Sequence, residues 1–193
     1  MSSTTAVDAV VESRSRWGHL VQKRAAAWLT VGLLTVPGVP VVAAQLLTAD
    51  PWSSDAGAPV HLTTDGGNEV VVASPPGWDV LEFGGGVTYR SDGATIAVQA
   101  YDRDGRDLQS TAERLLRTER LSGVNGALTS EDIATDDTAL SGQTCALVGD
   151  GVIGSCAFVA DDDVIVWVQV LGTVNDPAPE LSDVVGPITR GEA

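Results

Sequence analysis

Hydrophobic and polar positions divide this chain into two regimes. From Ala25 to Leu47 the sequence AAAWLTVGLLTVPGVPVVAAQLL runs for 23 positions without a charged residue. From Glu69 onward the apolar runs are only four to nine residues long, and Gly, Pro, Asp and Ser separate them. A helix rises about 1.5 Å per residue, so the first stretch is long enough to cross a hydrocarbon core of roughly 30 Å. A helix that is apolar on every face over this length fits lipid better than a protein core. Pro37 and Pro40 predict a kink in its outer half.

The short runs predict strands. Glu69–Ala73 is the first, and Trp78–Phe83 follows the turn Ser74-Pro75-Pro76-Gly77. Gly84-Gly85-Gly86 breaks the chain. Val87–Arg90 and Ala94–Tyr101 pair across Ser91-Asp92-Gly93. Ile96, Val98 and Ala100 alternate with Thr95, Ala97 and Gln99, the mark of a half-buried strand. Leu108, Ala112, Leu115 and Leu116 recur at helical spacing, with Arg114, Arg117 and Arg120 mainly off that face. Asp107 caps this helix, or Ser110 does so with Glu113 completing a capping box, and Ser122-Gly123 ends it. Strands resume at Asp132–Thr135, Gln143–Val148, Val152–Ala160 and Val164–Gly172. A short helix begins at Asp176-Pro177 and ends by Gly186-Pro187. The order predicts an α+β fold, an antiparallel sheet packed with one main helix and a short C-terminal helix, placed after a single transmembrane helix.

Flanking charge orients the span. Residues 1–24 carry Arg14, Arg16, Lys23 and Arg24 against Asp8 and Glu12, whereas no basic residue follows the span until Arg90. The positive-inside rule therefore places the N-terminus in the cytoplasm and the C-terminal part outside. Trp17, Lys23, Arg24, Trp28 and Trp52 are the candidate membrane-interface residues. A cleavable signal peptide is the rival reading, with Val42-Ala43-Ala44 as the cleavage site; the 24 preceding residues and the long apolar run favour an uncleaved anchor. The domain plan is a basic tail at 1–24, the span at 25–47, a linker at 48–67 rich in Pro, Gly and small polar residues, and an extracytoplasmic domain at 68–193.

Composition sharpens this plan. The 193 residues carry a net charge of −15 with a pI near 4.2, which argues against nucleic acid as a partner. Residues 48–193 hold seven arginines and 24 acidic residues, so the charge lies on the outer side. Hydrophobic content of 44% and a mean hydropathy of +0.12 exclude a disordered chain.

Two cysteines exclude a disulfide-dense scaffold and a four-cysteine zinc site. Taking Asp150-Gly151 as a two-residue hairpin turn, Cys145 lies five residues before it and Cys156 five after. The two then face one another within disulfide range, in the compartment where disulfides persist. Two free buried thiols are the alternative.

The candidate chemistry is sparse. His19 and His61 are the only histidines, the first in the cytoplasmic tail and the second in the linker. The outer domain proper thereby lacks the commonest general base and the commonest zinc ligand, and a Ser-His-Asp triad would have to use His61 from the linker. Asp102-Arg103-Asp104-Gly105-Arg106-Asp107 resembles half a calcium loop, and Asp136-Asp137 and Asp161-Asp162-Asp163 lie at strand ends; solvated turns are the competing account. Gly84-Gly85-Gly86 is not a phosphate loop, since neither Lys-Ser/Thr nor a helix follows. Trp167 is expected in the core, with Trp78 beside it or lining a groove.

At Pro75-Pro76-Gly77-Trp78 a Pro-x-Gly-Trp turn enters a strand, followed by a hairpin, one helix after a polar loop, and a meander of strands. Over about residues 68–172 this order resembles the PsbP-like α/β sandwich of actinobacterial cell-envelope proteins and the outer domain of type VII secretion-associated membrane proteins. The resemblance implies a non-enzymatic accessory or binding module without a cofactor. The lipoprotein members' lipidation cysteine is absent here. The expected partners are the lipid bilayer and another envelope or secretion membrane protein. A lipid or cell-wall-precursor site between helix and sheet is the alternative, and a metal-assisted hydrolase using the aspartates a third reading.

Overall fold

A computed structural model describes residues 52–53 and 57–191. The tail 1–24 and the apolar run 25–47 lie outside the described residues, and with them Trp17, Lys23, Arg24 and Trp28. Among the described residues no helix is long and apolar enough to cross a membrane.

The described part is a sheet-rich α+β fold with antiparallel sheets, one main helix and one short helix. Its elements are β1 (Val60–Thr63), β2 (Glu69–Val72), β3 (Asp79–Phe83), β4 (Gly86–Ser91), β5 (Ala94–Asp102), α1 (Leu108–Glu119), a 3-10 turn (Arg120–Ser122), β6 (Asn125–Ala134), β7 (Ser141–Val148), β8 (Ile153–Ala160), β9 (Val164–Gly172), α2 (Leu181–Val185) and β10 (Thr189–Arg190). Seven strands form one sheet in the order β3-β4-β5-β9-β8-β7-β6, and β1-β2-β10 form a second.

Local chemistry explains several elements directly. At Asp92-Gly93 both residues have positive φ, 44° and 95°, the conformation that lets a two-residue loop join Ser91 to Ala94 without splaying the strands. Asp107 caps α1, its carboxylate accepting the Ser110 N–H at 2.8 Å, so the Asp107 cap is the one realised. Gly123 ends the helical segment at φ 89°.

Between β5 and β6, α1 carries the chain from the middle of the large sheet to its far edge. The meander β6-β7-β8-β9 then returns and pairs β9 with β5, Val98 opposite Val168. The large sheet is thus buried on both faces. Toward α1, Ala112 and Leu116 pack on Leu147, Phe158 and Trp167. Toward the small sheet and α2, Val166, Val168 and Val170 pack with Val70, Val72, Val185 and Ile188. Two covered faces explain why β9, VIVWVQVLG, is apolar at almost every position rather than alternating.

Two expectations require correction. The segment assigned to a linker at 48–67 contains β1, with Val60 and Leu62 in the core, and Ser53 bridges to Val80. The folded part therefore starts before residue 68. Only two apolar positions alternate in β1, too short a pattern to stand out beside the polar residues around it. The strand expected at Asp132–Thr135 is a ten-residue strand beginning at Asn125, and its first half, NGALTS, has no apolar alternation because it lies at the sheet edge.

Candidate functional site

The β7–β8 hairpin has the register derived from its turn. Val148 opposes Ile153, and Cys145 opposes Cys156 with Cα atoms 4.8 Å apart in a disulfide. Gly149 N–H donates to the Val152 carbonyl at 2.9 Å, leaving Asp150 and Gly151 as the two loop residues. The disulfide lies under α1 with Leu147 and Phe158, fully buried.

The acidic clusters are occupied by the fold itself. The Asp102 carboxylate accepts hydrogen bonds from Thr64 Oγ1, from Gly66 N–H at 2.6 Å and from Asn68 Nδ2 at 2.9 Å, and so clamps the β1–β2 turn to the end of β5. Asp104 and Gly105 form a tight turn at positive φ, and Asp104 pairs with Arg106 at 3.2 Å. Asp161 Oδ1 accepts the N–H groups of Asp163 and Val164, each at 2.8 Å, while its Oδ2 pairs with Arg190 at 3.0 Å. Arg103 donates to the Asp161 carbonyl and lies 4.0 Å from Asp162. Asp137 accepts from Thr135 Oγ1 and from Ala139 N–H, and Asp136 N–H donates to the Gly186 carbonyl. Among the described residues no group of three or more His, Cys, Asp or Glu side chains converges on a point where a metal ion could be held.

Hydrogen bonds from Thr64, then Asn68, then Gly66 hold the Asp102 carboxyl below its ordinary range, and those from Thr135 and Ala139 act likewise on Asp137. A depressed folded-state pKa stabilises the ionised form. The contribution of Asp102 is therefore present above the ordinary carboxylate pKa, near 4, and is lost as pH falls through that value toward the lower folded one. The Gly66 amide resonance is expected to titrate with a midpoint below the ordinary range. Asp102→Ala should abolish that titration and lower the melting temperature by a few degrees. A Gly66 amide that titrates at the ordinary carboxylate pKa would refute the clamp.

The aromatic expectations divide. Trp167 is core, stacked on Phe158 with centroids 5.4 Å apart, and its indole N–H is buried with no hydrogen-bond partner among the described residues. Trp78 packs on the opposite face of the large sheet, against the core beneath the small sheet, so the two do not lie together. Trp52 stacks under the Arg90 guanidinium, 4.1 Å from its centroid. His61 stands on β1, not in a loose linker, and its Nδ1 meets the Glu69 carboxylate; both cysteines are in the disulfide, so neither is a thiol nucleophile beside it.

What the fold leaves open is the flank where α1 crosses the edge strand β6. The interior of this layer is filled, but two clefts lie along its rim. One, of about 600 Å³, is bounded by Asp107, Leu108, Asp132 and Ile133. The other, of about 410 Å³, lies between Glu113 and Arg117 of α1, with Arg120 of the 3-10 turn, and the Gly126–Leu128 segment of β6. Gly126 is what lets the helix approach, since a Cβ there would sit 2.5 Å from Leu116 Cδ2. No protein-family model and no curated protein matches this chain.

Of the seven arginines beyond the apolar run, Arg90, Arg103, Arg106 and Arg190 are ion-paired. Arg114 and Arg117 of α1 and Arg120, which opens the 3-10 turn, are exposed and make no ion pair among the described residues. The acidic neighbours on that helix are engaged by neutral donors, Glu113 by Gln109 at 3.3 Å and Glu119 by Ser122 at 3.1 Å. Sequence reading placed these arginines off the apolar face of the helix but attached no role to them. Their spacing of three residues was the available signal.

Proposed function

We propose that this protein is a single-pass, membrane-anchored accessory protein of the bacterial cell envelope, with its α+β domain outside the cytoplasmic membrane, and that it acts by binding another membrane or secretion component. The observation that carries the binding role is the open flank of α1 and β6: a sheet edge with no outer strand among the described residues, beside Arg117 and Arg120, two arginines without an ion pair in an otherwise acidic domain. The buried Cys145–Cys156 bond supports an oxidising compartment, and the uncharged run 25–47 with its basic flank supports the anchor and its orientation. The PsbP-like resemblance agrees with an accessory role.

Protease shaving of intact cells tests the placement. A C-terminal epitope should be lost within minutes while a cytoplasmic control survives, and an epitope that stays protected would overturn the orientation. In-cell photo-crosslinking from positions spread over the domain surface tests the role. A discrete adduct with a second membrane protein is the expected result, and an absence of adducts at every position would refute it. A second reading, a lipid or cell-wall-precursor site, would on the α1 side use the rim cleft at Leu108 and Ile133, because Ala112, Leu116, Phe158 and Trp167 fill the space beneath α1.

A further inference from the structure

We propose that the open flank receives an added β-strand from the partner protein, one whose side chains alternate between acidic residues on one face and apolar residues on the other. This deepens the binding role proposed above and rests on it.

Three features of the edge converge. First, among the described residues β6 pairs only with β7, so the outer backbone groups of its regular half, Asn125–Leu128, have no described strand beside them. The other half is protected in the usual way of edges: the register shifts between Leu128 and Asp132, and Glu131 and Asp132 add charge there. Asn125–Leu128 carries neither device.

Second, the two sides of an incoming strand would meet different chemistry. Gly126 and Leu128 lie on the α1 side, where the cleft is walled by Arg117 and Arg120, with Glu113, which accepts from Gln109, beside them. Cys145 and Leu147 point to that side, so Ala146 and Val148 point to the other. There Ala127 opposes Ala146, Val148 opposes Ile153, and Val148 and Ile153 are 55% and 60% exposed. Side chains of a strand alternate between faces, so carboxylates would reach the arginines while apolar residues extend the Ala127–Val148–Ile153 surface.

Third, charge disfavours self-pairing. Two copies joined by a two-fold axis through β6 would set their α1 arginines side by side, a like-charge contact. An acidic strand from a different chain removes that conflict and compensates Arg117 and Arg120, two of the three arginines left without an ion pair among the described residues.

The test uses the full chain in nonionic detergent micelles and a fluorescent ten-residue peptide of alternating Glu and Val. Saturable binding is expected, weakened about tenfold or more by R117E/R120E or by raising NaCl from 0.05 to 0.5 M, as ion pairing at an exposed site requires. A peptide of the same composition with its Glu and Val in two blocks should bind at least about tenfold less tightly, as should one of the two analogues N-methylated at alternate residues, because one set of N–H groups must face β6. Equal binding by the blocked peptide or by both methylated analogues would overturn strand addition. So would R117E/R120E that abolishes binding to vesicles of anionic phospholipid while the peptide does not bind, an outcome that assigns the arginines to lipid. Photo-crosslinks to a partner confined to surfaces away from Ala127 would overturn this inference and leave the binding role standing.

Discussion

Replacing Gly154 by alanine is expected to lower the unfolding free energy by about 3 kcal/mol, and Gly142→Ala should do the same. A Cβ at Gly154 would sit 1.9 Å from the Val170 carbonyl oxygen, and at Gly142 only 1.8 Å from that of Phe158. Both obstacles are backbone atoms of the neighbouring strand, so relief requires the strands to move apart. Gly142 opposes Val159 and Gly154 opposes Leu171, in the β7–β8 and β8–β9 ladders inside the large sheet. Overpacking with flexible side chains costs roughly 1–3 kcal/mol, and here no side chain can give way. Gly84→Ala is the control: nothing lies within 4 Å of the methyl it would add and its φ is not positive, so a change within about 0.5 kcal/mol is expected. Chemical denaturation followed by tryptophan fluorescence would measure all three, and a common value for Gly84, Gly142 and Gly154 would defeat the steric account.

The second large effect is expected at the disulfide. Cys145→Ala/Cys156→Ala removes a bond across a sequence separation of 11. Loop-closure entropy for a ring of that size predicts a loss of about 3 kcal/mol, or roughly 6–12 °C in Tm. Both cysteines are buried under α1 with Leu147, Phe158 and Trp167, so packing is lost in addition to the constraint. Reduction of the unmodified protein should reproduce most of the shift, and a melting curve indifferent to reductant would show that the bond contributes nothing. The double variant keeps α1 and β6 in place at low temperature, so peptide binding at the open flank should survive it there.

Local signals carried much of this fold. The loop expected as Ser91-Asp92-Gly93 is the two residues Asp92-Gly93, with Ser91 paired to Ala94, whereas Asp150-Gly151 set its hairpin register by itself, because a two-residue loop leaves one way to pair the strands on either side. The face-to-face cysteines followed from the second of these. Leu108, Ala112 and Leu116 reported α1 and its buried face, and the Asp107 cap its start. β10 and the first half of β6 were not legible, since two residues or an exposed edge carry no period. The acidic runs were ambiguous for another reason: a carboxylate's partner is distant in sequence, as Thr64 is from Asp102 and Arg190 from Asp161.

By itself, the sequence determined the α+β order, the main helix, the cysteine register and the split between an apolar stretch and an acidic remainder, because each depends on neighbours in the chain. Tertiary structure alone decided that β5 pairs with β9, that a small sheet covers one face, and which four arginines find carboxylates. Those outcomes depend on contacts between segments far apart along the chain. Arg117 and Arg120, and the strand edge beside them, acquire meaning only once every other pairing has been made.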